Sequence, residues 1–248
     1  ASNCDQPEFN VQYGPTGVQW CSPELLAAVA EASARTGRRV HMHLLETRYQ
    51  RDWADKNYPQ GIVKYLDEIG LLSPRLTLAH CTWARPAALA IIAARGATIT
   101  VNTSSNLGIR SGIAPVAAMI RQGCRVAMGL DGLALDADDD ALRELRLGYL
   151  LHRGTGFDVD VDAGTMLSMA FANGHLSVLN ANEGGELIAG APADLLVLDW
   201  DRLDDDRLYA GLDPLDLLFS RASAGHIDEL VVAGKSIVQQ GRVTGIDL

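Results

Sequence analysis

A strand-then-helix pattern repeats through five units between residues 9 and 151, and it leaves few folds open. The apolar runs are Phe9 to Tyr13, Val40 to His43, Arg75 to His80, Ala97 to Asn102, and Arg125 to Leu130 ending at Asp131. The first closes on the turn-rich Gly14-Pro15-Thr16-Gly17. Ser22-Pro23-Glu24 then opens a helix, with Ser22 as N-cap, Pro23 at the first helical position and Glu24 near the positive end of the dipole. Leu25, Val29 and Ala32 or Ser33 mark its apolar stripe, and Gly37 ends it. A loop carrying Trp53 and Tyr58 comes next, then helices over Gly61 to Ile69, Pro86 to Ala94, Ala114 to Gln122 and Ala141 to Leu151. A polar loop, Thr103 to Asn106, follows the fourth strand. Most of the strands are continuous apolar runs, so both faces of the sheet are covered, as in a parallel α/β sheet. His43, His80, Asn102 and Asp131 stand at strand C-terminal ends, where a (β/α)8 barrel or a doubly wound sheet builds its site. No Gly-x-Gly-x-x-Gly follows any strand, which argues against a dinucleotide site.

The texture changes after Leu151. Thr165 to Leu179 reads as one helix, and Gly184 to Gly190 as turn, strand, turn. Ala193 to Asp199 reads as a strand, Asp213 to Ser220 as a helix, and Asp228 to Gln240 as a hairpin turning at Gly234-Lys235. The expected division is a barrel part over 1–182 and a small β-rich module over 183–248. So few strands are marginal alone and need a partner to pack on.

A formal net charge of −10 with no Lys/Arg block argues against nucleic acid as a partner. No apolar run approaches the ~18 residues of a membrane span, and no signal peptide is seen. Cys4, Cys21, Cys81 and Cys124 lack Cys-x-x-Cys spacing and read as free thiols of a reducing, cytoplasmic compartment. The chain opens on Ala1-Ser2-Asn3, without a Met.

The chemistry concentrates at His41-Met42-His43-Leu44-Leu45-Glu46. Residues i and i+2 of a strand share a face, so His41 and His43 look the same way, and Glu46 follows just past the strand end. An imidazole that can hold a metal, beside a carboxylate, suits activation of water and movement of its proton. An ordinary polar pair on a strand would have the same spacing.

Together these residues resemble the amidohydrolase superfamily, in the branch of cytosine and guanine deaminases, adenosine-derivative deaminases and triazine chlorohydrolases. The resemblance rests on His43-Leu44-Leu45-Glu46 after the fifth barrel strand and Ala79-His80-Cys81 after the sixth. It continues with Asn102-Thr103-Ser104-Ser105-Asn106-Leu107 after the seventh, Gly129-Leu130-Asp131-Gly132 after the eighth, and Gly190-Ala191-Pro192-Ala193-Asp194-Leu195 in the tail. It implies the later part of a metal-dependent (β/α)8 TIM barrel, strands four to eight, followed by the C-terminal part of a small β-sandwich. His43 and Asp131 would bind one divalent metal, zinc or else iron. Glu46 would shuttle a proton from water to the leaving group, His80 would hydrogen-bond the attacking oxygen, and Asp131 would also act as base. Gln19, Trp20, Cys81, Trp83 and Asn106 are the candidates for substrate contact, Asn106 also as a support of its own loop. His41 is expected to be structural or to stand behind the ligand, and His152, His175 and His226 to have no catalytic role.

The family's first strand carries a metal-binding His-x-His that this chain lacks. A missing N-terminal segment, or another chain, is therefore expected to supply it. The fragment should leave its site open on that side and, in the complete protein, belong to a homo-oligomer. The implied reaction is hydrolytic deamination of a heterocycle such as a purine, pterin, pyrimidine or triazine. The alternatives are a chlorohydrolase or cyclic amide hydrolase of the same superfamily, or a non-catalytic half-barrel that needs its partner segment.

Overall fold

The computed structural model describes residues 11–132, 135, 138–179, 184–206, 211 and 213–245. Helix α1 (Pro23–Thr36) is capped by Ser22, whose hydroxyl accepts from Leu25 N, and stopped by Gly37 at φ 71°. Its buried residues are Leu26, Ala30 and Ser33, while Leu25 is exposed, so the buried stripe lies one residue later than the periodicity suggested. Strand β1 (Val40–Leu44) follows. The expected loop after it is instead helix α2 (Arg48–Asn57), capped by Thr47. Only Ala54 of that helix is buried, so the sequence carries no apolar stripe to reveal it.

The alternation continues through α3 (Ile62–Glu68), β2 (Leu76–His80), α4 (Pro86–Arg95) and β3 (Thr98–Val101). The polar segment after β3 is a second correction: it forms a short helix, α5 (Thr103–Gly108). Helix α6 (Val116–Arg121), strand β4 (Arg125–Met128) and helix α7 (Ala141–His152) complete this part. The four strands pair in parallel in the order β1-β2-β3-β4. Val40, Met42 and Leu44 pair with Leu76, Leu78 and His80, and Thr98 to Val101 with Arg125 to Met128. The segment before α1 touches β1 through two parallel bridges, Tyr13 with Val40 and Gly17 with His43. The sheet is open among the described residues. Leu26, Met42, Leu66, Leu76, Leu78, Leu89, Ile92, Ile99 and Met119 are fully buried between strands and helices, each worth ~1.5–3 kcal/mol relative to exposure.

After α7 a short ribbon, β5 (Gly154–Thr155) with β6 (Asp158–Val159), precedes the expected helix. That helix is broken into α8 (Ala163–Ala170) and α9 (Ala172–Val178) at Phe171. Helix α9 reaches across the sheet. Asn173 Nδ2 donates to Val126 O on β4, and Ser177 O accepts from Arg39 Nε and Thr77 Oγ1 beside β1 and β2. Burial, with Arg125 and Arg75 nearby, pushes the Arg39 guanidinium down to about 10.

The expected boundary at 182/183 lies outside the described residues. The expected turns stand at Gly184, Gly185 and Gly190, at φ 142°, 73° and 93°, but no strand forms between them. Strand β7 (Leu195–Leu198), helices α10 (Trp200–Leu203) and α11 (Pro214–Arg221), then β8 (Ile227–Val232), β9 (Lys235–Gln239) and β10 (Arg242–Val243) follow. The strands form a separate antiparallel sheet ordered β10-β9-β8-β7. Asp140 links it to the first part: Oδ1 caps α7 through Leu142 N, and Oδ2 accepts from Ala224 N ahead of β8. Cys21, Cys81 and Cys124 are free thiols, while Cys4 lies outside the described residues. No helix of the described residues is long and apolar enough to cross a membrane.

Candidate metal centre

His43 ends the inward row of β1. Its Nδ1 lies 2.7 Å from Thr16 O. A carbonyl can only accept, so Nδ1 carries the proton and Nε2 presents its lone pair outward, the tautomer a metal ligand needs. His80 is fully buried at the end of β2. Its Nδ1 is 2.9 Å from Asn106 Oδ1 on α5, and its ring stacks on His43 with centroids 5.4 Å apart at 16°. His80 Nε2 has no hydrogen-bond partner. It lies 3.9 Å from Glu46 Oε1 and 4.0 Å from Asp131 Oδ2. Burial holds the His80 imidazole below its ordinary value; the Glu46 carboxylate, the Asn106 hydrogen bond and Asp131 oppose that without reversing it.

Asp131 follows β4 at φ 110°, a region that an L-residue rarely enters. Its backbone is exposed, but its carboxylate is only 14% exposed and accepts a 2.5 Å hydrogen bond from Ser105 Oγ on α5. Helix α5 therefore steadies both His80, through Asn106, and Asp131, through Ser105. The N-terminus of α5 is satisfied by a buried carboxylate: Glu144 Oε1 accepts from Thr103 N and Ser104 N at 2.5 and 3.2 Å. Gly129 leaves room for this arrangement, since a Cβ there would lie 2.4 Å from Asn102 Oδ1.

One ligand atom each from His43, His80 and Asp131 lies within 4.8 Å of the others. The His43 imidazole and the Asp131 carboxylate are donors suited to zinc or iron, with the His80 imidazole close beside them. The buried, unpartnered His80 Nε2 marks a place where a ligand or a water is owed a contact. The residues present fit a divalent metal.

The other sequence candidates are distributed unevenly. Trp20 is 59% exposed and stands edge-on to His43 at 6.3 Å. Gln19 is half-buried beside it, with Nε2 lacking a partner. Trp83 is partly exposed and donates from Nε1 to Ser111 O. Asn106 is buried and faces His80, which favours its supporting role over substrate contact. Cys81 is a correction: it is fully buried in the hydrophobic core, its thiol pushed far up by that burial and by Cys124, and it offers no surface to a substrate. Thr16, Gln50, Ser105 and Glu144 were missed as supports. Ser105 stood inside the quoted strand-seven motif, and Thr47-x-x-Gln50 has capping-box spacing; Thr16 and Glu144 gave no signal.

A model of the amidohydrolase family matches residues 7–237. The chain belongs to that family. Among similar amidohydrolases, a 5'-deoxyadenosine deaminase of Methanosarcina barkeri is 33% identical over 96% of this chain and 54% of its own length. A 5-methylthioadenosine/S-adenosylhomocysteine deaminase of Pelotomaculum thermopropionicum is 31% identical over 96% of this chain and 54% of its own. The chain thus spans about half the length of the curated relatives it matches. A zinc-bound adenosine deaminase of Xanthomonas campestris superposes with a TM-score of 0.89 at 26% identity, over 98% of this chain and 55% of that one. A zinc complex of the atrazine chlorohydrolase TrzN of Arthrobacter aurescens gives 0.87 at 26% identity, over 99% and 55%.

Proposed function

We propose that the complete protein hydrolytically removes ammonia from a heterocycle of the adenosine class, and that this chain supplies the later strand ends of its (β/α)8 site. The observation that carries the reading is the convergence of His43, His80 and Asp131, with Glu46 beside His80. His43 and Asp131 would hold the metal, zinc or iron, together with ligands from outside this chain. A bound divalent metal supplies an acidified water and polarises the atom under attack. The remaining work falls to this chain's side chains. Asp131, aimed by Ser105, accepts a proton from the attacking water. His80 Nε2, turned inward by its bond to Asn106, holds the oxygen that adds to the ring carbon. Glu46 Oε1 takes up the second proton of that water and returns it to the departing nitrogen, which leaves as ammonia while the ring carbon becomes a carbonyl; the proton held by Asp131 passes to the adjacent ring nitrogen, so both protons of the water are placed. Such proton handling contributes about 10² to 10⁴ in rate. Trp20 and Gln19 stand on the rim where the heterocycle would enter.

The separate antiparallel sheet supports a division into a barrel part over 1–182 and a β-module over 183–248. Free thiols accord with a cytoplasmic location; the complete protein is also proposed to be a homo-oligomer, and by itself this chain should be inactive. The test is ammonia release by the complete, zinc-loaded protein from 5'-deoxyadenosine and S-adenosylhomocysteine. Glu46→Gln should retain zinc and lose turnover by roughly 10² or more. Undiminished ammonia release by that variant, or none from any nucleoside offered to the parent, removes the reading. Halide cleavage is the second reading, favoured by the likeness to TrzN; chloride release from a chlorotriazine in place of ammonia release would establish it.

A further inference from the structure

Glu46 does not stand alone at the rim. Gln50, in the first turn of α2, closes a ring with it: Glu46 N donates to Gln50 Oε1 at 2.8 Å, and Gln50 Nε2 donates to Glu46 Oε2 at 3.1 Å. The first bond settles the second. A backbone N–H must meet an oxygen, so the amide cannot be flipped, and its NH2 end necessarily faces the carboxylate. Thr47 fixes the base of Gln50 in turn, because Thr47 Oγ1 accepts from Gln50 N at 3.2 Å. The spacing Thr47-x-x-Gln50 is that of a capping box, whose third residue would reach back to the N-cap N–H. Here the side chain reaches one residue further, to Glu46.

We propose that Gln50 is a positioning residue that locks the Glu46 carboxylate and assigns its two oxygens different tasks. Oε2 is occupied by the Gln50 donor. The lone pairs left for a shuttled proton are chiefly those of Oε1, the oxygen 3.9 Å from His80 Nε2. A carboxylate free to rotate about its last bond would present either oxygen and spend part of its time turned away. Lost orientation of that kind is felt in turnover rather than in substrate binding. The inference rests on the proposed role of Glu46 as proton carrier.

The experiment compares Gln50→Met, Gln50→Glu and Glu46→Gln in the complete zinc-loaded protein, with 5'-deoxyadenosine as substrate. Gln50→Met has similar length and neither hydrogen bond; kcat should fall by roughly tenfold or more with KM within about twofold. Zinc content and melting temperature should stay near the parent's. Gln50→Glu keeps the acceptor for Glu46 N but replaces the donor by a second carboxylate. The limb of the pH–rate profile that disappears in Glu46→Gln should therefore move to higher pH in Gln50→Glu, by about one unit or more. A second carboxylate raises that limb wherever the two side chains face each other, so this variant tests their proximity, while the split between kcat and KM in Gln50→Met tests the positioning role. The proposal is overturned if Gln50→Met keeps the parental kcat, if the Gln50→Glu limb does not move, or if lost turnover tracks lost zinc or melting temperature. If Glu46→Gln itself turns over normally, the underlying reading has failed. If Glu46→Gln is inactive while both Gln50 variants behave as the parent, only the role of Gln50 has failed.

Discussion

Removing Glu144 should damage a site it does not touch. The carboxylate is 2% exposed and accepts the N–H groups of Thr103 and Ser104 at the start of α5. Hydrogen bonds to a charged acceptor contribute about 1.5–3 kcal/mol each. Losing two gives roughly 3–6 kcal/mol, and relief from burying the carboxylate offsets part of that. Glu144→Ala is expected to cost about 3 kcal/mol in urea unfolding. Glu144→Gln should cost about 1 kcal/mol, since an amide oxygen at the Oε1 position can still accept both N–H groups. The functional consequence runs through α5, which carries Ser105 to Asp131 and Asn106 to His80. Zinc affinity, measured by chelator competition, should fall by about tenfold or more in Glu144→Ala, in the range seen when outer supports of a metal site are lost. A Glu144→Ala protein within 1 kcal/mol of the parent, or one with unchanged zinc affinity, would falsify the linkage.

Ser105→Ala removes the hydroxyl from Asp131 and should weaken zinc binding by about 10- to 100-fold; parental affinity in competition assays contradicts that. His152, at the end of α7, is held below its ordinary value by burial. The folded state therefore resists the proton that the unfolded chain accepts below about pH 6.5. Its contribution to stability is present above that pH and is lost as pH falls through the lowered folded value. Melting temperature should decline on that acidic side, and less steeply in His152→Leu; equal slopes would dismiss His152 as a cause. Trp20→Ala should raise KM more than it lowers kcat, because the exposed ring stands edge-on to His43 on the proposed rim; the opposite split would place Trp20 in the chemistry.

The strands and the positions of the chemical groups could be read from sequence, because a parallel sheet demands long apolar runs and puts polar residues at their ends. His43, His80 and Asp131 were found that way, and the structure brings their ligand atoms within 4.8 Å. Helix α2 was hidden because a surface helix with one buried alanine leaves little periodic trace. Helix α5 was hidden because the acceptor for its first N–H groups, on Thr103 and Ser104, comes from Glu144, some forty residues downstream. Contacts so distant in sequence have no local signature.

The failure at Cys81 has a geometric cause. Pairing aligns His43 with Ala79 and Leu44 with His80. Since paired residues share a face, strict alternation would send His80 outward with Leu44 and Leu78, and Cys81 inward beside His43. His80 and Cys81 instead take φ values of 74° and 48°. The alternation reverses: the His80 ring swings in to stack on His43, and Cys81 turns into the core. Positive φ at non-glycine residues costs on the order of 1–3 kcal/mol each, and such strain persists only where surrounding contacts over-determine it. Here the Asn106 hydrogen bond to His80 and the bonds from Cys81 N to Leu44 O and Ala79 O supply them. Asp131, at φ 110°, is held by Ser105 in the same manner. Two of the three groups that converge are thus set by backbone conformations that run against local preference. Residue type and spacing therefore singled out His43, His80 and Asp131 as candidates, while the direction of their side chains depended on packing that only the folded chain provides.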